Sequence, residues 1–478
     1  MNKVAKNYLY NLSYQILLII VPLITTPYIA RVIGAKGVGT YGYTNSIVQY
    51  FILFGCIGLN LYSQREIAYY QQDKNKRDKI FFELVILRII TVSISLVIYF
   101  FTLASHGQYS TIFMIMSLDI ISSMFDISWF FQGIEDFQKI VLRNAIVKIA
   151  GVILIFTFVK SQSDLYLYIL CQSSVLLLGV LSMWLYMPKF VSLSNCHNLE
   201  LKRHIKPTIV LFLPQIAVSI YTTLDKTMIG ALTNDNAEVA YYQQSQTIVR
   251  IVLTLVTSLG TVMLPRVANL FKQNEMEKVK EYLGVSLKFT FFLSFPMMFG
   301  LIAVSSNIVP WFLGSGYDKV VPNMMLISPI LVFIAFSNVM GTQFLLPIGR
   351  QREYTLSVVL GTCINVFFNF ILIPHFLSLG AAVATVIAEM CVTGAQLYFV
   401  RKDFNLLQIL KDNYKYILSS IIMFVVVMFI SLKLTPSIIH TLMIAICGTC
   451  IYFICLILMK DKLINDLSIK IKEKIKSL

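Results

Sequence analysis

This sequence predicts an all-α integral membrane protein with about 14 transmembrane helices, built as two pseudo-symmetric six-helix lobes plus two extra C-terminal helices. Three observations carry that expectation. Of 478 residues, 57% are hydrophobic and only 13% charged, whereas a soluble chain would be about a quarter charged. The apolar segments run about 20 residues, enough for a helix to cross a core of about 30 Å; barrel strands would alternate over about 10 residues. The chain also repeats itself at a fixed offset of 201 residues.

Lys3 and Lys6 precede the first span, 9–30. No A-x-A-like site follows a short apolar core, so this run reads as a helix and not a cleaved leader. Spans at 42–61, 80–104, 111–131, 141–159 and 165–186 complete an N-terminal lobe over 1–186. Residues 187–207, MPKFVSLSNCHNLELKRHIKP, read as an interlobe linker. Spans at 208–232, 242–264, 283–304, 324–346, 355–374 and 381–400 form the C-terminal lobe over 208–400. Residues 401–459 carry the two-helix appendix, 417–434 and 438–459. In the basic tail, 460–478, Ile464, Leu467, Ile471, Ile475 and Leu478 have helical spacing among lysines. That pattern fits an interfacial helix on an anionic leaflet, or a solvated tail.

The net charge of +15 sits mostly in loops of one side. With the N-terminus inside, inner segments hold 29 Lys and Arg, and outer segments hold five: Arg31, Lys36, Lys160, Lys319 and Lys433. Positive charge collects on the cytoplasmic side, so both termini are expected there. This distribution argues for a membrane surface and against nucleic acid. Of eight cysteines, all but Cys196 lie in apolar runs, which argues against a disulfide framework. Cys447 and Cys450 have CxxC spacing, but inside a span they read as packing.

The repeat pairs Tyr41 with Tyr242, Ile47-Val48 with Ile248-Val249, Arg65 with Arg266 and Phe81 with Tyr282. Across the preceding outer turn the offset becomes 196, pairing Ile33-Gly34 with Ile229-Gly230. Six spans separate equivalent points. That number is even, so the copies run parallel about an axis along the membrane normal. Two such lobes with a seam suit alternating access.

Gly37 to Gly42 matches GxGxxG, yet no βαβ unit surrounds it. These glycines are expected to make the outer turn between the first two spans. No metal-ligand spacing, hydrolase elbow or Walker loop occurs, so no cofactor and no metal is expected. The five histidines lie in loops or near span ends, and none reads as a proton relay.

Intramembrane charge is the remaining signal. An ionised group in hydrocarbon costs about 2.5–3.5 kcal/mol on insertion scales. Arg88, Lys148, Lys226, Arg250 and Lys288 nonetheless lie within spans, with Lys288 close enough to an end to snorkel. Acids Asp119, Asp126, Asp225 and Glu389 also lie within spans, and Glu83 lies near an end. Each charge is either half of a buried ion pair or part of a cationic cavity for an anion such as a diphosphate. The stretch 221–242 places Asp225 beside Lys226 before Gly230 and a polar turn. Arg250 and Arg31 are the candidate partners of Asp225. Arg31, Arg88, Lys148, Asp225, Lys226, Arg250 and Lys288 are therefore the candidate substrate-binding and translocation residues. Pro22 and Pro27 are expected to interrupt span one, Pro214 span seven and Pro296 span nine, as hinges or as static kinks.

Three passages carry a resemblance: PLITTPYIARVIGAKGVGTYGYTNSI (22–47) with YSQREIA (62–68); WFFQGIEDFQKIVLRN (129–144); and YTTLDKTMIGAL…EVAYY (221–242) with LPRVANL (264–270). Over spans one to twelve the chain resembles Wzx-type polysaccharide flippases of the multidrug/oligosaccharidyl-lipid/polysaccharide superfamily. The resemblance implies a two-lobed bundle in a bacterial inner membrane, with a central cavity. Its cargo would be undecaprenyl-diphosphate-linked oligosaccharide repeat units, moved outward for O-antigen, capsule or exopolysaccharide. Its implied partners are membrane lipids, a polysaccharide polymerase and chain-length machinery. Rival readings are a MATE-like cation-coupled drug exporter, a lipid II flippase, and an enzyme acting on lipid-linked sugars. Deep cations weigh against the first, although Asp119 and Asp126 favour it. The short outer loop near 305–323 weighs against the enzyme.

Overall fold

The computed structural model describes residues 3–192 and 199–461, and it bears out the all-helical membrane class. Among the described residues there is no β-strand, and eleven helical stretches are long and apolar enough to cross a membrane. The expected tail from 462 onward and Cys196 lie outside the described residues.

The helices fall into two compact units, residues 1–240 and 241–478. The first holds α1 (Lys3–Cys56), α2 (Leu59–Tyr69), α3 (Lys74–Tyr99), α4 (Ser110–Phe125), α5 (Ser128–Gly133), α6 (Phe137–Phe158), α7 (Leu165–Trp184) and α8 (Lys202–Thr233). Helix α9 (Asn236–Lys272) begins in this unit and continues into the second. The second unit goes on with α10 (Met276–Leu313), α11 (Val320–Ile327), α12 (Ile330–Ser337), a π-helical turn at Asn338–Leu345, α13 (Gln351–Val400), α14 (Leu406–Lys433) and α15 (Ile438–Leu458). The expected linker, 187–207, lies within the first unit, and α8 already begins at Lys202.

Helices α1 and α13 are each two helices run together through one non-helical residue, Gly34 (φ 74°) and Leu377 (φ 56°). Gly34 corrects the expected turn. The break falls three residues before the GxGxxG glycines, and Gly37, Gly39 and Gly42 are helical. Gly34 takes a left-handed φ, which glycine adopts without a Cβ penalty. Pro22 and Pro27 do not interrupt the first span either, since helical backbone carries α1 through both. Pro296 likewise lies within continuous α10. Neighbouring groups in a packed bundle can re-satisfy the one carbonyl a proline frees. The side chain of Pro214 lies outside the described residues.

Short polar side chains start several helices. Asp73 accepts from the Lys76 amide at 3.2 Å, Asn405 from Gln408 at 3.2 Å, and Ser437 from His440 at 3.1 Å. Each satisfies one of the amides that a helix start leaves orphaned.

The first unit has an aromatic core where α2, α3, α5 and α7 meet. Trp129, Phe130 and Phe131 are buried there with Phe81. Phe130 meets Phe81 edge-on with centroids 5.2 Å apart. This accounts for the apolar half of the WFFQGIEDFQK passage. In the second unit α14 and α15 pack on α10 through Tyr416, Met423, Val427 and Tyr452. Within the membrane there is little hydrophobic drive between helices, so close packing and hydrogen bonds hold them. Asn307 supplies one such bond, donating to the Ser431 hydroxyl at 2.6 Å. Just before α13, Arg350 bonds Asp403 at 2.7 Å. Burial pulls the Arg350 guanidinium down, but Glu353 and Asp403 outweigh it and hold its pKa above the ordinary value.

Candidate translocation site

Arg88 sits near the middle of α3 and is only 2% exposed. Its Nε donates to the Ser123 carbonyl at 2.6 Å, Nη1 to Asn60 Oδ1 at 2.7 Å, and Nη2 to Cys56 Sγ at 3.5 Å. Gly58 makes this geometry possible. Its φ of 74° breaks the chain between α1 and α2, which lets Asn60 reach back to α3. The guanidinium is thus held by neutral acceptors from three segments, and its charge is not cancelled by them.

Lys148 occupies the middle of the 22-residue α6, about 16 Å from either end at 1.5 Å per residue. It is exposed, yet it does not share the lipid-facing stripe of its helix. That stripe is Leu142, Ile146, Ile149 and Ile153, all more than half exposed. At 100° per residue Lys148 lies about 130° from the centre of the stripe. It instead shares a face with buried Gly151 and Ile155. An ammonium at this depth is disfavoured against lipid. Its placement fits a watery, protein-lined space.

Arg250 in α9 is also exposed, and it lies on a polar stripe. Gln243, Thr247, Arg250, Thr254 and Thr257 recur every three or four residues, so they share one face. Under the 201-residue offset Arg250 corresponds to Gln49, which is likewise exposed on α1. Lys288 lines a polar cavity of about 480 Å³ with Asp412 and Lys415 of α14 and with Asp461, just beyond α15.

Within the first unit, the part of the stretch 221–242 from 225 to 240 packs on α1. Asp225 is 3% exposed, Lys226 is half-buried and Arg31 is exposed. Beside them Thr227 bonds Ser46 at 2.8 Å. Gly230 faces the Tyr43 ring so closely that an added Cβ would lie 2.2 Å from it. Beyond the turn, the Asn236 amide donates to Thr40 Oγ1 and to the Tyr109 hydroxyl, both at 2.8 Å. Gly39 allows this approach, because a Cβ there would sit 1.6 Å from the Asn236 carbonyl oxygen.

Other groups escape the sequence reading. His204 is 1% exposed and bridges Glu83 Oε2 at 2.8 Å and the Tyr62 hydroxyl at 2.7 Å. Glu83 also accepts from the Glu200 amide at 2.7 Å and from Arg203. This cluster ties α2 and α3 to the start of α8. Asp126, expected within a span, ends α4: it accepts from the Ser128 amide at 3.0 Å and lies 3.6 Å from Arg143. In the second unit, α10, α14 and α15 border an open apolar cavity of about 280 Å³ lined by Phe292, Pro296, Gly300, Met423, Gly448 and Tyr452.

Among the described residues, eleven helical stretches long and apolar enough to span a bilayer define a multi-pass membrane protein. Residues 4–271 match the family described as "Polysaccharide biosynthesis protein", more than half of the chain, and the chain belongs to that family. Residues 142–452 also match the family described as "Lipid II flippase MurJ". Among curated relatives, an Escherichia coli K12 protein named "Putative O-antigen transporter" is 26% identical over 80% of this chain and 93% of its own length. A Staphylococcus aureus protein named "Capsular polysaccharide biosynthesis protein CapF" is 23% identical over 84% of this chain and 100% of its own. The fold is similar to that of the lipid II flippase MurJ in an inward closed conformation. That likeness has a TM-score of 0.77 at 19% identity and covers 95% of this chain and 100% of that one. It is also similar to an inward-facing MATE family transporter of the MOP superfamily, with a TM-score of 0.62 at 13% identity over 83% and 94% of the two chains. The resemblance to Wzx-type flippases of this superfamily is thereby borne out. The Escherichia coli relative is named a transporter, and the solved structures like this chain are a flippase and a transporter, not enzymes.

Proposed function

We propose that this chain is a lipid-linked oligosaccharide flippase which moves undecaprenyl-diphosphate-linked repeat units from the cytoplasmic to the outer leaflet. Its products feed O-antigen, capsule or exopolysaccharide assembly in a bacterial inner membrane, with both termini cytoplasmic. The observation that carries the reading is the placement of Lys148 in mid-span, exposed, on the face opposite the lipid stripe of α6. A diphosphate crossing hydrocarbon needs a fixed counter-charge at that depth, and Lys148, Arg250 and Arg88 supply it. Arg31, Asp225, Lys226 and Lys288 are further candidates for binding the cargo. The apolar cavity beside α14 and α15 suits a polyprenyl chain. Lobes over 1–186 and 208–400, with 187–207 as the linker, would supply the alternating access. A polymerase and chain-length machinery would consume the product.

Deletion of the chain in its host tests this. Surface polysaccharide should be lost while lipid-linked repeat units accumulate on the inner leaflet, and the wild-type chain should restore both. Deletion that leaves surface polysaccharide intact, with no accumulated lipid-linked glycan, would refute the reading.

A further inference from the structure

Arg88 and the buried His204 cluster share helices α2 and α3, and their side chains form one closed circuit in the first unit. Glu83 and Arg88 both stand on α3, about 7.5 Å apart along its axis. Asn60 and Tyr62 both stand in the first turn of α2, about 200° apart and so on opposite sides of it. From α3, Glu83 Oε2 holds His204 Nε2 of α8 at 2.8 Å. His204 Nδ1 holds the Tyr62 hydroxyl of α2 at 2.7 Å. On the far side of α2, Asn60 Oδ1 accepts from Arg88 Nη1 at 2.7 Å, which closes the circuit on α3.

The first turn of α2 depends on these stays. It follows Ile57 and Gly58, at φ 41° and 74°, so no continuous helix carries it on from α1. It leans on α8 instead. A Cβ at Gly58 would stand 2.9 Å from the Thr208 carbonyl oxygen and 3.0 Å from the Phe212 amide. Helix α8 therefore places α2 at two points, Gly58 and Tyr62. His204 is itself held firmly: it is 1% exposed, and Glu83 beside it is fully buried. A carboxylate only accepts, so Nε2 carries the proton toward Glu83, and Nδ1 of the neutral ring accepts from Tyr62. Arg203 and the Glu200 amide also donate to Glu83. The acid thus anchors His204 whether or not Tyr62 is in place.

The other two acceptors of Arg88 belong to α1 and α4: Cys56 is buried and Ser123 half-buried, whereas Asn60 is exposed. Asn60 therefore forms the open edge of the Arg88 site, where an anion would approach. Beyond its bonds to these acceptors, the guanidinium carries a second N–H on each Nη, and those are what a phosphate oxygen would use. Their direction is set by whatever holds the group at that edge. We propose that His204 is a positioning residue for Arg88: through Tyr62 it keeps Asn60 on the guanidinium, so that the grip on a diphosphate depends on α8 being docked. The proposal rests on the reading of Arg88 as a counter-charge to the cargo. It makes α8, the helix reached through the expected linker, a support of the cation site.

Tyr62→Phe is the sharp test, because it cuts the bond to His204 and keeps the ring that meets the imidazole edge-on at 5.5 Å. The reporter is Cys56, whose sulfur accepts from Arg88 at 3.5 Å, in a full chain with serine at every other cysteine. Maleimide should label Cys56 about fivefold faster in Tyr62→Phe and in His204→Ala, the equivalent of one hydrogen bond. Asn60→Ala should do the same, and adding Tyr62→Phe to it should change nothing more, because both break one circuit. A chain that keeps only the buried Cys171 of α7 should label at an unchanged rate in these variants, which separates lost positioning from a loosened fold. In proteoliposomes holding lipid-linked oligosaccharide extracted from host cells that lack this chain, Tyr62→Phe should raise KM about threefold or more and leave kcat within about twofold. Unchanged labelling of Cys56, additive effects in the double variant, or an equal rise at Cys171 would overturn the proposal, and so would faster labelling with an unchanged KM. Wild-type chain that flips no lipid would strike the flippase reading, while the labelling rates would still decide whether His204 holds Arg88.

Discussion

Gly39→Ala tests how closely α1 and the turn after α8 must approach. The added Cβ would stand 1.6 Å from the Asn236 carbonyl oxygen and 3.1 Å from the Ala240 amide. Both are backbone atoms, so no side chain can swing aside, and the two segments must part. Parting breaks the bonds from Asn236 to Thr40 and Tyr109, each 2.8 Å long. Two such bonds contribute about 0.5–1.5 kcal/mol each, and a buried amide left without partners costs about 1–3 kcal/mol. Asn236 is 7% exposed, so water relieves part of that cost. The closed arrangement should weaken by about 2–4 kcal/mol, or about 30- to 700-fold in its ratio to the open one. Val239, fully buried beside this turn, supplies the reporter. In a chain whose native cysteines are replaced by serine, maleimide should label Val239→Cys faster by that factor when Gly39→Ala is added. Gly230→Ala should act more weakly, because its Cβ would meet the Tyr43 ring, a side chain that can rotate. Unchanged labelling and Tm in Gly39→Ala would show that the approach of α1 to Asn236 is not needed.

Arg88 and Lys148 should separate by readout. Arg88→Ala strips the donors from Ser123 and Asn60, and at about 1.5–3 kcal/mol for each charge-assisted bond it should lower Tm by several degrees as well as export. Lys148→Ala removes an exposed ammonium, so stability should stay within about 0.5 kcal/mol while surface polysaccharide falls; normal export in that variant would discard the cation path. Reporter fusions at Asn75, Asn198 and Asn274 should read cytoplasmic and those at Gln108, Asn234 and Ser315 external, following the 29-to-5 charge split. A consistent reversal would invert the proposed direction of transport.

The spans are legible in sequence because hydropathy over about 20 residues is a local property with one physical meaning in a bilayer. The partners of deep charges are not. Arg88 is satisfied by Asn60 and Cys56, 28 and 32 positions away, and by a carbonyl at Ser123, and no sequence pattern marks a carbonyl as an acceptor. The expectation of ion pairs for such residues assumes that opposite charge must answer charge. Here an array of neutral acceptors does so, leaving net positive charge in the bundle. His204 escapes notice for a related reason: its place near a span end says nothing of Glu83, 121 positions away.

The glycines show most plainly where a sequence pattern stops short. Gly34, Gly37, Gly39 and Gly42 all sit within nine residues, and the densest part of that group reads as a turn. Glycine, however, has two separate uses in a membrane helix: a left-handed φ, and a side small enough for another backbone to approach. Of these four, only Gly34 shows the first, at φ 74°. Gly39 shows the second, against Asn236. The two uses look alike in sequence, yet they tolerate different replacements. Asparagine enters the left-handed region more readily than alanine. At Gly34 an added Cβ would meet only the end of the Gln162 side chain, at 3.3 Å, which can move aside. Backbone conformation therefore decides there, and Gly34→Asn should be more stable than Gly34→Ala by up to about 1 kcal/mol. At Gly39 every side chain begins with the same Cβ against the same carbonyl, so asparagine should be no better than alanine. Thermal unfolding of the four single variants measures both differences. Equal Tm for the two Gly34 variants would show that its left-handed φ is not what the chain requires at that break.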